Sequence, residues 1–201
     1  HEIMATTCGR GGKAYEVRLF DPADEDKPVK AGEIGHVGGR GAALMLGYFA
    51  NQAATEGSFN KDGWFLSGDL GIADESGNVQ IVGRLKDIII RGGHNIHPAN
   101  IEALALRHEA VSRVACFPVP DDRLGERVCI AVIGAVEPAA LLAHLETEGL
   151  SKYDMPEYFV RVEELPMTAS GKVLKRVLTD MVKKGTLKPQ FLRENVTEAA
   201  Q

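Results

Sequence analysis

Four short glycine-containing segments carry the side chains of this sequence that are best suited to binding or catalysis. Asp69 ends the segment GWFLSGD, Arg84 lies in GRLKD, and Lys172 ends LPMTASGK. The fourth segment, RGGHNIHP, contains Gly92 and Gly93, which permit unusual backbone angles and close approach of a ligand. A carboxylate accepts hydrogen bonds, and a positioned ammonium group offsets negative charge that develops during a reaction.

Each of these segments, taken alone, also has an ordinary structural interpretation. A surface turn requires no more than Gly and Asp, and charged residues are common between strands and at the start of a helix. The combination is more informative, because binding and catalytic residues concentrate on loops that rigid elements hold in place. The elements that flank each segment therefore decide between the two interpretations.

Three other patterns resemble binding sites but lack the required context. Residues 9–14 match GxGxxA loosely, without the preceding strand and following helix of a dinucleotide site. The SGK at residues 170–172 ends like a phosphate-binding loop, but Pro166 occupies a position that requires glycine. His94 and His97 could form half of a metal site, yet no Cys or carboxylate cluster completes it. A polar loop and a helix N-cap are favoured for these histidines, and we predict no metal ligand.

The composition is that of a globular protein. Of the 201 residues, 44% are hydrophobic and 25% are charged, which is sufficient for a buried core. The net charge of −5 argues against nucleic acid as the main partner. No apolar run reaches the roughly 18 residues of a membrane helix, and residues 1–10 do not resemble a signal peptide. Cys8, Cys116 and Cys129 are far apart, which favours isolated thiols in a reducing compartment and a cytoplasmic location.

The first half of the chain, up to about residue 85, favours short β-strands. Strands are indicated at Tyr15–Phe20, Glu33–Gly38, Gly71–Ala73 and Val79–Val82. The acidic run at residues 24–26 is expected to end the first strand, and residues 51–56 are the only short helix expected in this half. Several short strands with regular turn signals predict a small sheet or barrel.

After residue 97 the pattern becomes mixed. Helices are expected from Pro98, from Pro138 and over residues 172–184, because proline favours the first helical turn and apolar residues recur at helical spacing. Strands are expected at Val111–Val119, Glu126–Ile133 and Phe159–Val162. A loose tail is expected after Pro189. The order helix, strand, strand, helix, strand, helix predicts a compact α+β module.

In their order and spacing, the four segments resemble the AMP-forming acyl-CoA synthetases. That superfamily also contains peptide-synthetase adenylation domains and luciferases. The resemblance runs from about Gly32 to about Leu178 and includes GEIG at residues 32–35 and GYF at residues 47–49. Four segments in family order, ending in PMTASGK, make a chance match improbable.

The resemblance implies an α+β fold class in two parts. Residues 1–84 would form a partial β-barrel-like subdomain at the end of a large adenylating domain. Residues 85–86 would form a hinge. Residues 87–201 would form a small, mobile C-terminal lid with a short central sheet and flanking helices.

The resemblance also implies a reaction. Members of the family join a carboxylic acid to ATP, giving an acyl-adenylate and pyrophosphate, and a thiol such as coenzyme A then displaces AMP. Lys172 would contact the acid carboxylate and the α-phosphate. Asp69 would accept hydrogen bonds from the ribose hydroxyls, Arg84 would add a cationic donor, and Ile81 would line the nucleotide. The implied cofactors are ATP, Mg²⁺ and coenzyme A, and the implied substrate is a small carboxylic acid.

Further residues are implied for the thiol-transfer step. Lys86 matches the family's hinge, where few residues absorb a change in backbone angles. Gly92 and Gly93 would line the tunnel for the pantetheine thiol, because no Cβ blocks its path. His94 would contact coenzyme A.

The family's phosphate loop and acid pocket lie upstream of these segments. The resemblance therefore implies that the 201 residues are a C-terminal piece that cannot form the adenylate alone. By the same resemblance, Glu2 would be the last residue of a family Thr-Glu segment whose carboxylate supports Mg²⁺, and its role stays open. The acid itself and a homo-oligomeric state stay open. Two alternatives to a CoA ligase are an adenylation domain that loads a carrier-protein thiol and a non-catalytic module that uses the lid fold.

Overall fold

The structure, a computed structural model, describes residues 7–192 of the chain. The described residues fall into two compact units that divide between Lys86 and Asp87. The α+β class expected from the sequence is confirmed, and each unit is built around one β-sheet. Glu2, which the resemblance connects with Mg²⁺, lies outside the described residues.

The first unit consists of an antiparallel sheet and one short helix. Its elements are β1 (Tyr15–Asp21), β2 (Asp24–Pro28), β3 (Ile34–Gly41), α1 (Gln52–Glu56), β4 (Phe65–Ala73) and β5 (Val79–Arg84). The strand order is β2-β1-β3-β4-β5, so the described sheet is open, with β2 and β5 at its edges. The expected helix α1 is confirmed, and it is capped by Asn51, whose side chain accepts a hydrogen bond from the Ala54 N–H.

The sequence analysis expected the acidic run at residues 24–26 to end the first strand, and β1 does end at Asp21, but no strand was expected in the run itself. The run instead pairs with the end of β1 in antiparallel register. All side chains of β2 are exposed or half-buried, and charged residues suit an edge strand because they discourage pairing with other chains. An alternating apolar pattern does not reveal this strand because it presents no buried face.

Trp64 fixes the start of β4 in the core of the first unit. It is only 2% exposed and packs with Phe20 and Leu66. The guanidinium carbons of Arg18 and Arg40 lie 4.8 Å and 4.5 Å from the centre of the indole ring, which is cation–π geometry. The tryptophan of the GWF segment therefore has a structural role, anchoring the strand that carries the downstream SGD residues.

The second unit has helices and a six-stranded sheet. Its elements are β6 (Ile89–Arg91), β7 (His94–Ile96), α2 (Pro98–Ala105), β8 (Val111–Asp121), β9 (Gly125–Gly134), α3 (Pro138–Thr147), β10 (Tyr158–Arg161), α4 (Lys175–Lys183) and β11 (Gln190–Phe191). Helices α2 and α3 begin at prolines, as expected. The longest of these helices has 10 residues, and none in the described part of the chain is long and apolar enough to cross a membrane.

Strand β9 is the centre of the second unit and is covered on both faces. Val128, Ile130 and Val132 pack into the core formed with α2 and α3, whereas Cys129 and Ala131 pack into the core formed with α4. Because side chains of a strand alternate between faces, this continuous apolar run indicates helices on both sides of the sheet. Burial raises the pKa of the Cys129 thiol, which therefore packs as a neutral apolar group.

Three parts of the second unit differ from the sequence analysis. Residues 94–96, expected in a loop, form strand β7, which pairs with β6 across a two-residue turn. Helix α4 begins at Lys175 and not at Lys172, because the preceding residues form a hydrogen-bonded turn. Residues 190–191, expected in a loose tail, form β11, which pairs with β10. Short strands of two or three residues carry too few side chains for an alternating pattern.

Candidate active site

Asp69 and Arg84 form an ion pair on neighbouring strands of the first unit. They are directly opposite in the β4–β5 ladder, and Arg84 Nε lies 2.9 Å from Asp69 Oδ1. The side chains are 32% and 36% exposed, so the pair is held by the sheet and is accessible from solvent. A ligand with vicinal hydroxyl groups would find acceptor oxygens and N–H donors together here.

Ile81 lies two rungs of the β4–β5 ladder away from this ion pair. A register shift between Leu70 and Gly71 places Ile81 opposite Gly71. Asp69 and Gly71 are two residues apart on one strand and therefore share a face of the sheet. The Ile81 side chain is 43% exposed, which makes it an accessible apolar surface beside the charged pair.

His36, which the sequence analysis did not single out, supports the irregular part of β4 immediately before Asp69. It is 4% exposed on β3. The backbone N–H of Gly68 donates to His36 Nε2 at 2.8 Å, and His36 Nδ1 lies 3.0 Å from Glu25 Oε1. A single histidine in a strand gives no pattern, so only the fold reveals this contact.

Lys172 lies at an exposed position on a tightly hydrogen-bonded turn of the second unit. The N–H of Thr168 donates to the Lys172 carbonyl at 2.8 Å, and the N–H of Lys172 donates to Thr168 Oγ1 at 3.0 Å. Gly171 has a φ of +82°, which glycine adopts without strain. The PMTASGK segment therefore presents its lysine from a fixed backbone.

Helix α4, which follows this turn, is attached to the rest of the second unit by a largely buried ion pair. Lys175 Nζ lies 2.7 Å from Glu102 Oε1 on α2. The same carboxylate oxygen accepts a hydrogen bond of 2.7 Å from the Cys116 N–H on β8. One carboxylate thus joins three elements at the base of the lysine turn.

Gly92 and Gly93 form the turn between β6 and β7. Their φ angles are +59° and +86°, and positive φ at both central residues is typical of a type I′ hairpin turn. The Gly92 N–H donates to the Leu124 carbonyl at 2.8 Å. A cavity of about 480 Å³ lies beside this turn, lined by Arg91, Leu124, Lys152, Tyr153 and Glu157.

His94 follows this turn and is held against the loop before β10. Its Nε2 lies 2.8 Å from Asp154 Oδ1, and its ring meets the Tyr153 ring edge to face at 6.2 Å between centroids. The side chain is 50% exposed. His94 is therefore oriented by contacts within the protein and still open to a ligand.

A buried carboxylate, Glu157, fixes the same region. Its side chain is 1% exposed, and Arg127 Nη1 lies 3.0 Å from Oε1. Arg91 Nη1 lies 3.3 Å from Oε2 as an ion pair, without the alignment of a hydrogen bond. Arg91 also donates to the Tyr153 carbonyl. These contacts connect the Gly92–Gly93 hairpin to β9 and to the start of β10, and no motif in the sequence indicates them.

The remaining candidates from the sequence, Lys86 and His97, lie in a turn and at the start of a helix. Lys86 is exposed in the 3₁₀ turn Leu85–Asp87 and is the last residue of the first unit. His97 precedes α2 as its N-cap without a side-chain capping bond, and burial lowers the pKa of its imidazole. Between residues 7 and 192, no three His, Cys, Asp or Glu side chains form a group that could hold a metal ion.

The structure thus assembles the candidate residues into two sets. Asp69, Ile81 and Arg84 share one end of the β4–β5 hairpin in the first unit. In the second unit, Lys172 lies on the turn before α4, and Gly92, Gly93 and His94 lie on the β6–β7 hairpin. The first set could contact a ribose and a base, and the second set offers a cation and a glycine-lined edge.

Comparison with known proteins shows what kind of protein has this arrangement. Residues 100–172 match the family of AMP-binding enzyme C-terminal domains. The putative acyl-CoA synthetase YngI of Bacillus subtilis is 36% identical over 178 residues, which is 87% of this chain and 32% of that protein. The 2,3-dihydroxybenzoate-AMP ligase of B. subtilis is 36% identical over 185 residues, or 90% of this chain and 34% of that protein.

A solved structure agrees with these relatives. ATP-bound MatB from Rhodopseudomonas palustris matches with a TM-score of 0.81 and 33% identity, covering 88% of this chain and 36% of that chain. The fold is that of the C-terminal region of an AMP-binding enzyme. The chain belongs to the superfamily of adenylate-forming enzymes that includes the acyl-CoA synthetases. It spans about a third of the length of the relatives that it matches.

Proposed function

We propose that the chain is the C-terminal part of an ATP-dependent carboxylic acid–CoA ligase. The acid carboxylate attacks the α-phosphorus of ATP, forming the acyl-adenylate and releasing pyrophosphate. The thiolate of coenzyme A then attacks the acyl carbon, forming the thioester and releasing AMP. The observation that carries the proposal is the exposed Lys172 at a rigid, hydrogen-bonded turn within the matched C-terminal segment.

Lys172 would act in the first of these steps. The reaction brings a carboxylate against a phosphate, so negative charge accumulates as the new bond forms. An ammonium group at this point stabilises the transition state more than the separated substrates. The hydrogen bonds of Thr168 and the Gly171 turn would hold the lysine backbone in place for this role.

Asp69, Arg84 and Ile81 would bind the nucleoside. The Asp69 carboxylate can accept hydrogen bonds from both hydroxyls of a ribose, and Arg84 both orients that carboxylate and offers donors. Ile81 presents apolar surface to the nucleotide. Mg²⁺ is commonly held by one or two carboxylates together with phosphate oxygens. Since residues 7–192 contain no cluster of metal-ligating side chains, we assign no Mg²⁺ ligand among them and no step to the ion.

The β6–β7 hairpin would serve the second step. Lys86, at the end of the first unit, is the proposed hinge, and residues 87–201 are the proposed lid. Gly92 and Gly93 would line the tunnel through which the pantetheine arm enters. His94, which is already oriented by Asp154, would contact coenzyme A. We place the reaction in the cytoplasm, with a small carboxylic acid as substrate.

Replacing Gly93 with alanine should separate the two steps. A Cβ at Gly93 would meet no atom within 4 Å, but its φ of +86° is unfavourable for alanine. In the full-length enzyme we expect thioester formation to fall about tenfold or more, equivalent to roughly 1.4 kcal/mol of barrier, with adenylate formation unchanged. Single-turnover measurements of each step would show this difference.

Gly149→Ala is the matched control for that experiment. Gly149 has a φ of +87° and open space around a built Cβ, so it carries the same backbone strain away from the hairpin. It should leave both steps unchanged. Equal slowing of thioester formation by Gly149→Ala and Gly93→Ala would show that strain alone is responsible and would contradict the proposed tunnel.

A carrier-protein thiol is the specific alternative to coenzyme A as the acceptor of the acyl group. The chain is as similar to a 2,3-dihydroxybenzoate-AMP ligase as to a putative acyl-CoA synthetase, at 36% identity to each. The full-length enzyme, supplied with ATP and an acid that it activates, should be given either coenzyme A or a phosphopantetheinylated carrier protein. A CoA thioester supports the proposal, and transfer only to the carrier protein would replace it with the carrier-loading alternative.

A further inference from the structure

We propose that His36 is a positioning residue for Asp69, acting through the backbone of Gly68. The inference rests on the proposed function, because it gives Asp69 the task of binding ribose. His36 touches no substrate in this scheme. Its contribution is to hold the SGD residues of β4 in the one conformation that presents the Asp69 carboxylate next to Arg84.

The first observation is an irregularity in the β3–β4 ladder. His36 is opposite Leu70, and Gly38 is opposite Leu66. Between these rungs β3 has one residue, whereas β4 has three, namely Ser67, Gly68 and Asp69. The SGD residues therefore bulge out of the ladder on this side, as extra residues do in β-bulges.

The second observation is how the bulge is hydrogen-bonded. Gly68 has a φ of +79°, and its N–H points at His36 Nε2 at 2.8 Å. Because the bulge removes the regular partner on β3, the imidazole replaces a carbonyl of the ladder. The next N–H, that of Asp69, donates to Ser67 Oγ at 3.1 Å. Two backbone donors of the bulge are thus satisfied by side chains.

The third observation fixes the protonation of the ring. A backbone N–H can only donate, so Nε2 must be the acceptor nitrogen of a neutral imidazole. The proton therefore lies on Nδ1, which donates to Glu25 Oε1 at 3.0 Å. A carboxylate on one nitrogen sets the role of the other. Glu25 is on β2, so this edge strand contributes to the site as well as to the sheet.

Together these contacts form a chain of hydrogen bonds from Glu25 through His36 to Gly68. The histidine is 4% exposed, so water does not readily replace it. Asp69 follows the fixed N–H directly and meets Arg84 at 2.9 Å on the other side of β4. Releasing the Gly68 N–H should therefore loosen the Asp69 carboxylate and weaken nucleotide binding, without affecting the binding of the acid.

The test uses the full-length enzyme with three variants, Asp69→Asn, His36→Leu and His36→Gln. His36→Leu should raise the KM for ATP about tenfold, the effect of losing one hydrogen bond to a half-buried donor, with the KM for the acid unchanged. His36→Gln should recover most of the loss, because its side-chain carbonyl can accept from Gly68. The matched control is His108→Leu, since His108 Nδ1 also accepts a backbone N–H, that of Ala110, in the other unit.

The outcomes separate this inference from the proposed function. An unchanged KM for ATP in Asp69→Asn would overturn the role of Asp69 itself. A raised KM in Asp69→Asn with no change in His36→Leu would overturn the positioning role alone. Equal losses in His36→Leu and His36→Gln, or in His108→Leu, would mean a general structural effect and would also overturn it.

A second measurement decides the case if His36→Leu does not fold. Nitrogen-15 spectra of the histidine rings in the 201-residue chain report which nitrogen carries the proton. We expect a neutral His36 with its proton on Nδ1, converted to another state by Glu25→Ala. A proton on Nε2 would be incompatible with the Gly68 contact and would overturn the inference.

Discussion

Replacing Lys172 with alanine in the full-length enzyme is expected to slow acyl-adenylate formation by about 10²- to 10³-fold, the usual effect of removing one preorganised group that stabilises developing negative charge. The same variant should convert an added acyl-adenylate and coenzyme A to the thioester at the normal rate, because no phosphate is attacked in that step. Lys172→Arg should recover little, because a planar guanidinium does not occupy the position of a compact ammonium.

The control for this experiment is Lys188→Ala, which removes another exposed lysine of the second unit. It should leave both steps intact. Rapid-quench measurement of the adenylate separates the steps directly. Normal adenylate formation by Lys172→Ala would contradict the catalytic role of the lysine, and it would favour a non-catalytic module built on the same fold.

Replacing Glu157 with glutamine is expected to destabilise the second unit by about 3–5 kcal/mol, the range for removing one partner of a buried ion pair. Glu157 is 1% exposed, and the side chains of Arg127 and Arg91 are 14% and 10% exposed. Without the carboxylate, Arg127 would keep its ion pair with Asp121, but the buried Arg91 guanidinium would lose its carboxylate partner. Urea unfolding of the 201-residue chain would measure the change.

Glu137→Gln is the matched control for Glu157→Gln. Glu137 also pairs with an arginine, with Arg161 Nη2 at 3.0 Å, but the two side chains are 74% and 47% exposed. Exposed pairs contribute about 0–1 kcal/mol, so this substitution should change the unfolding midpoint little. Similar small shifts for both variants would show that the Glu157 cluster does not hold the second unit together.

Much of the fold could be predicted because buried elements leave a periodic signal. Prolines at 98 and 138 mark the first turns of α2 and α3, and the apolar run of β9 is explained by cores on both faces of the sheet. Strands β2, β7 and β11 could not be predicted in this way. They are short or charged, and their positions depend on the neighbouring strand more than on their own side chains.

The residues of the candidate site also differ in whether they could be predicted from the sequence. Asp69, Arg84, Gly92, Gly93 and Lys172 are carried by turn motifs that are visible in the sequence. The buried polar residues that hold these motifs in place are not visible in the sequence, because their partners are distant in the chain. His36 and Gly68 are 32 residues apart, Arg127 and Glu157 are 30 apart, and only the tertiary structure brings each pair together.

The central claim is that this chain works within an enzyme that activates a carboxylic acid with ATP. The most direct measurement is exchange of labelled pyrophosphate into ATP by the full-length protein, carried out with a panel of short-chain, long-chain, alicyclic and aromatic acids. We predict exchange that requires both the acid and Lys172, and none by the 201-residue chain alone. Absence of exchange with every acid, or robust exchange by the 201-residue chain alone, would contradict the proposal.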